Sequence, residues 1–194
     1  MNTRILHINS YYAKGSFYKN LFEKQSKAGI NLDVYVPTPY SAQQIGFDYG
    51  FYTTISQNHG KYDRLFFYSK HSKILKDVQD KYFINDYSLV HAHSLFSNGY
   101  IAMQLKVKYG IPYIVAVRNT DVNVFFHKMI HLRGLGIKIL KEASKVVFLS
   151  IPNKKATLDY VPKPLIGEIQ SKSVVIPNGI DDFWFHNLNK EKRT

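Results

Sequence analysis

Apolar and polar positions along this chain change period in a repeating order. Residues 4–9 (RILHIN) alternate and predict a strand. Residues 18–28 place Leu21, Phe22 and Ala28 among lysines on other faces and predict a helix, with Gly29 as its C-cap. LDVYV (32–36) predicts a second strand, stopped by Pro37. Residues 37–62 read as irregular, with a short strand at FYTTIS (51–56), and LFFY (65–68) is a further strand candidate. Residues 69–83 predict a helix with Ile74, Leu75, Val78 and Phe83 inward. SLVHAH (88–93) is the next strand, and a helix runs from Ser97 to Tyr109, capped by Gly110. YIVAVR (113–118) is almost wholly apolar, which predicts a strand buried on both faces. Residues 126–143 predict a long helix interrupted by Gly134 and Gly136. KVVFLS (145–150) is a strand and 153–161 a short helix. SVVIP (173–177) is the last strand, read as buried, ended by Pro177 and a sharp turn at Asn178-Gly179, a pair that tolerates positive φ.

Strands alternating with helices imply parallel βαβ units with helices on both sheet faces, a Rossmann-like α/β domain. Ligands in such sheets bind beyond the carboxyl ends of the strands. That points to residues 10–19, 93–98, 118–125, 150–153 and 177–182.

Composition narrows the picture. A chain of 194 residues is read as one domain, and 45% hydrophobic residues supply a core. No run approaches a membrane span, and the start MNTRILHINS is too polar for a signal h-region. The absence of cysteine removes disulfides and thiolate metal sites and fits a cytoplasmic protein. A net charge of +12 favours an anionic partner: nucleic acid, a phosphate-bearing substrate or an anionic membrane. The 15 tyrosines and 13 phenylalanines can stack on sugars or bases. The basic residues are spread rather than grouped with a stacking motif, so no nucleic acid is expected. Residues 125–141 mix apolar positions with Lys128, Arg133, Lys138 and Lys141. They read either as an amphipathic helix on an anionic bilayer or as a packed helix with solvated lysines.

Four segments, in order, resemble the N-terminal domain of retaining glycosyltransferases of family 4, which have the GT-B fold. ILHINSYYAKGS resembles the first strand and glycine loop. SLVHAHS resembles the D-hydrophobic-hydrophobic-H-x-H segment, with Ser88 in place of Asp. YGIPYIVAVRNTDV resembles the G-x-P-h-h-x-x-x-H-G-x-D strand and loop, with Arg118 where His would stand and Asn119 where Gly would stand. VVFLS and VVIPNGID resemble the close of the domain. The resemblance implies a three-layer αβα sandwich with a mainly parallel sheet, one half of a GT-B fold. Residues 1–182 would form the acceptor-side domain and 183–194 the start of an interdomain linker, with a C-terminal donor domain carrying E-x7-E outside the chain. It implies sugar transfer from a nucleotide-sugar co-substrate to a glycan or lipid-linked acceptor, in surface polysaccharide synthesis, on the cytoplasmic side and peripheral to the inner membrane face. This half alone would then lack turnover.

The loop Lys14-Gly15-Ser16 precedes a helix, whose free N–H groups favour an anion. The resemblance implies contact with the donor diphosphate, although the family has two adjacent glycines there. The missing G-x-G-x-x-G argues against a dinucleotide-dependent oxidoreductase. His91 and His93 share a strand face, and such a pair can ligate zinc, but no third ligand is evident. The resemblance implies no bound metal, so no metal or cofactor is expected. His91 reads as a core histidine, with His93 and Ser94 reaching the acceptor cleft. The resemblance places Arg118, Asn119 and Asp121 beside donor and acceptor. Asp121 would accept a hydrogen bond from an acceptor hydroxyl or assist proton removal, and Arg118 would pair with phosphate. Tyr11, Tyr12 and His7 are candidates for acceptor stacking, and Asn178-Gly179 for the interdomain turn. Two other readings remain open here: a nucleic-acid-binding α/β domain, and a phosphate- or nucleotide-binding module without catalysis.

Overall fold

The computed structural model describes residues 3–14, 17–42, 47–60 and 62–179. The strands are β1 (Arg4–Ile8), β2 (Asn31–Pro39), β3 (Thr53–His59), β4 (Leu89–Ala92), β5 (Tyr113–Val117), β6 (Lys145–Phe148) and β7 (Ser173–Val175). The helices are α1 (Phe17–Lys27), α2 (Phe67–Lys81), α3 (Ser97–Tyr109), α4 (Arg133–Glu142), α5 (Ile151–Leu158) and α6 (Lys163–Ser171). The strands form one sheet in the order β3-β2-β1-β4-β5-β6-β7, and every pairing is parallel. This is the Rossmann-like α/β architecture expected from the sequence. Strand order reverses between β1 and β4, which opens a crevice at their carboxyl ends.

Alternation along the strands divides the core. Leu6, Ile8, Tyr35, Val90 and Ala92 pack with Ile74 and Val78 of α2 and Ile101 of α3. On the other face Leu32, Val34 and Val36 pack with Tyr18 and Phe22 of α1. Gly136 lets α4 approach the π-helical turn Asp121–Phe126 and the start of α3. A Cβ there would stand 2.6 Å from the Phe96 ring and 2.9 Å from the Phe126 ring.

Several local expectations fail for definable reasons. LFFY is not a strand: Leu65 closes a 3-10 turn and Phe67 begins α2, whose inward positions recur as Phe67, His71, Ile74 and Val78. Phe83 is 86% exposed, because α2 ends at Lys81 and the chain leaves it extended. The helix over 126–143 is broken into the π-helical turn, a 3-10 turn (Ile130–Leu132) and α4. Its apolar residues Phe126, Leu132, Ile139 and Leu140 are in the core rather than on an outward face, which removes the bilayer reading's main support. Pro162 and Pro164 hid α6, in which proline occupies the tolerated first turn. β7 is an edge strand, not a buried one, and Val174 and Val175 are exposed. Neither Asn178 nor Gly179 adopts positive φ, and the residues that would complete an Asn-Gly turn lie outside the described residues.

β2 does not stop at Pro37 but continues to Pro39, paired with β3. The reason lies in the alternation of its backbone groups. The Tyr35 carbonyl accepts from Asn9 N–H, so Tyr35 faces β1. Pro37, two residues on, faces the same side, where β1 has already ended. Its missing donor is therefore never called upon.

Candidate functional site

Asn9, Ser94, Arg118 and Asn178 follow the carboxyl ends of β1, β4, β5 and β7 and share one rim of the sheet. Asp121 ties two of these loops together. Its carboxylate accepts hydrogen bonds from the backbone N–H of Leu95 (3.0 Å), Phe96 (3.2 Å) and Arg118 (2.8 Å). The side chain is 1% exposed. Burial pushes its carboxyl up to about 6, while the amides of Leu95, Arg118 and Phe96 and the Arg118 charge pull it down. The carboxylate is thus spent on backbone amides and positions the loops after β4 and β5.

Arg118 stands at the crossing of these loops. Its Nε donates to the His93 carbonyl at 3.0 Å and its Nη1 to Asn178 Oδ1 at 3.2 Å. The guanidinium lies over the Tyr18 ring, 5.6 Å from the centroid. Asn119 is exposed and accepts from Asn153 Nδ2 at 3.1 Å, where α5 begins at its Ser150 N-cap. Ser94 is 2% exposed, and its hydroxyl accepts from Asn98 N–H at the start of α3.

Beside this crossing lies a cleft of about 620 Å³. Ser10, Tyr11, Asn98 and Thr120 supply polar groups, while Phe67, Ile74, Val124, Phe125 and Leu132 supply apolar walls. Lys70, His59, His71 and His131 add basic groups to the lining. Burial pulls His71 down to about 4, against the Phe67 carbonyl that its Nδ1 meets at 2.6 Å. A histidine lowered in the fold stabilises it above pH 6.5 and loses that contribution as pH falls from 6.5 towards 4. The loss amounts to about 1.4 kcal/mol per pH unit. Melting curves at pH 7 and 5.5 should therefore differ less in His71→Gln than in the parent, by roughly 3–5 °C. Equal pH sensitivity in both would show that His71 is not the group responsible.

Other residues expected at the site lie elsewhere. Tyr12, expected to stack on an acceptor, is wholly buried and donates its hydroxyl proton to the Tyr49 carbonyl at 2.9 Å. His93, expected to reach the cleft, is 1% exposed and lies on the α1 face of the sheet against Tyr18 and Phe22. Gly15 and Ser16 lie outside the described residues, as does the side chain of Lys14. Tyr11, Arg118, Asn119 and Asn178 keep some surface at the rim.

The sequence offered no third partner for His91 and His93; the fold brings one. His7 of β1 is the register partner of His91, so its ring joins theirs on the same face. Burial holds His7 and His93 well below the ordinary imidazole range and His91 at about 4, with His91 adding to the effect on the other two. The signal was available: alternation in RILHIN puts His7 opposite in phase to Leu6 and Ile8.

Residues 15–182 match the family model described as Glycosyltransferase Family 4. The chain belongs to glycosyltransferase family 4. No curated protein sequence matches it. Among solved structures, this family 4 chain is similar in fold to HepE of Anabaena, solved with UDP and glucose. Identity is 14% and the TM-score 0.63, over 92% of this chain and 45% of that one. It is similar to the lipopolysaccharide outer core galactosyltransferase WaaB, at 12% identity and TM-score 0.62, over 92% of this chain and 46% of that one. It is also similar to a sucrose-phosphate synthase structure from Thermosynechococcus elongatus, at 16% identity and TM-score 0.60, over 96% and 97% of the two chains. The chain thus spans about half the length of HepE and WaaB. Among its described residues, no helix is long and apolar enough to cross a membrane.

Proposed function

We propose that this family 4 chain is the acceptor-side half of a retaining, two-lobed glycosyltransferase that moves a sugar from a nucleotide-sugar donor to a glycan or lipid-linked acceptor in surface polysaccharide synthesis. The observation that carries the reading is the cleft beside the Arg118 loop, at the end of the sheet where strand order reverses. Its aromatic walls, Phe67 and Phe125, suit the apolar face of a sugar ring, and Ser10, Tyr11 and Thr120 offer hydrogen bonds to hydroxyls. The UDP and glucose held by HepE support a nucleotide-sugar donor.

Within this reading Arg118 turns its charge towards the donor diphosphate, and Tyr11 and Asn119 meet the acceptor. Asp121 takes no proton: its oxygens already hold three amides, so it fixes the Arg118 loop. The donor phosphate receives the acceptor proton, and the protein contributes position and charge. The donor itself would be held chiefly by a second lobe, so turnover requires that lobe.

Titration of this chain with oligosaccharides and with nucleotide diphosphates, followed by NMR, tests the proposal. Glycans should perturb Tyr11 and Phe125, while nucleotides bind in the millimolar range or weaker. Micromolar nucleotide binding by the chain alone would overturn the assignment to the acceptor side. Salt-dependent micromolar binding to random oligonucleotides would favour a nucleic-acid module instead.

A further inference from the structure

His7, His91 and His93 form a compact triangle at the strand-order reversal. His7 and His91 face each other across the β1–β4 pairing, and His93 follows His91 by two residues on the same face. Ring centroids are 5.2 Å apart for His7–His91, 5.3 Å for His7–His93 and 4.2 Å for His91–His93. His7 Nδ1 and His93 Nε2 are 3.0 Å apart. One ring nitrogen of each histidine lies within 4.8 Å of those of the other two.

Packing alone explains this cluster poorly. A neutral imidazole carries one donor and one acceptor, and burial requires both to be met. Yet His7 Nε2 and His91 Nε2 are both buried without a hydrogen-bond partner. Around them stand aromatic side chains, with ring centroids 5.0 Å apart for Phe22 and His7 and 5.4 Å for Tyr18 and His93, and neither orphaned nitrogen finds a partner there. Six ring nitrogens gathered at one buried place are a costly choice for filling space; they form a nitrogen donor set for a cation, although the Arg118 charge acts on His91 and His93.

We infer that His7, His91 and His93 bind a first-row divalent metal ion of zinc type through one ring nitrogen each. Imidazole is a preferred ligand for zinc, and three protein nitrogens leave a fourth position for water. Metal–nitrogen bonds of 2.0–2.1 Å in a tetrahedron set the nitrogens about 3.3–3.4 Å apart. The present nitrogen spacings, all within 4.8 Å, would have to close to that value on binding. The ion would staple β1 to β4 directly beneath the loop that follows β1. It would also fix the His93 backbone, whose carbonyl holds Arg118. This inference does not rest on the sugar-transfer reading.

The test uses the chain purified in chelator-treated buffer, with ZnCl2 added and MgCl2 as control. About one equivalent of Zn²⁺ should be retained after desalting, with a Tm rise of about 5–10 °C at a hundredfold excess over Kd. Co²⁺ should give the visible absorption bands of a nitrogen-ligated site. His91→Gln and His7→Gln should each weaken binding by more than about 100-fold, the loss expected when a ligand rather than its outer partner is removed. Absence of stoichiometric zinc in the parent chain, or its retention in both variants, would overturn the inference. Should the variants fail to fold, the cobalt spectrum of the parent decides: a spectrum without ligand-field bands beyond those of aqueous Co²⁺ sinks it.

Discussion

Asp121→Ala should lower the melting temperature by roughly 10 °C. The carboxylate accepts from three backbone amides, of Leu95, Phe96 and Arg118. It sits where water does not reach, at 1% exposure. Truncation leaves those donors unmet, and a buried donor without a partner costs about 1–3 kcal/mol. Allowing for partial relaxation, a total of about 3–5 kcal/mol corresponds to that shift in a domain of this size. Asp121→Asn should cost less, because one amide oxygen remains while the NH2 group confronts a backbone N–H. Thermal denaturation followed by circular dichroism checks both. A drop below about 2 °C for the alanine variant would show that the loops after β4 and β5 do not depend on this side chain.

On the proposed reading, in which a second lobe completes the enzyme, Arg118→Ala should lower kcat/KM by about 10²–10³, the cost of removing one preorganised charge donor from a transition state. The effect should fall mainly on kcat. The fold should change little, since the guanidinium is only partly buried and its bonds to His93 and Asn178 lie at the rim. Arg118→Lys keeps the charge but loses the fork that reaches both oxygens, so intermediate activity is expected. Initial rates across donor and acceptor concentrations separate these outcomes. Activity within threefold of the parent would remove Arg118 from the transfer chemistry.

The sheet was readable in the chain because its strands are short apolar runs bounded by clear breaks: Gly110 before β5, or Pro177 after β7. Propensity misled where context decided. Phe66, Phe67 and Tyr68 favour strands in isolation, but the spacing from Phe67 to Val78 serves a helix face. α6 was missed because Pro164 reads as a break unless it falls in a first turn. The site was harder. Which loops line the rim followed from topology, and Arg118 and Asp121 stood out from their position after a strand. That Asp121 faces backbone amides rather than a ligand depends on how β4 and β5 pair, which no local pattern encodes. The histidine cluster depends likewise on the register of β1 against β4, 86 residues apart at His7 and His93.

The course of β2 beyond the end of β1 carries a consequence for selectivity. Pro37 and Pro39 both border the cleft, and neither offers an N–H. An extended polypeptide entering there would find no main-chain donor at either residue, and strand addition uses donors as well as acceptors from the receiving edge. Two ring-closed residues thus withhold main-chain donors from that stretch of the groove, and recognition along it falls to side chains such as Ser10, Tyr11 and Thr120.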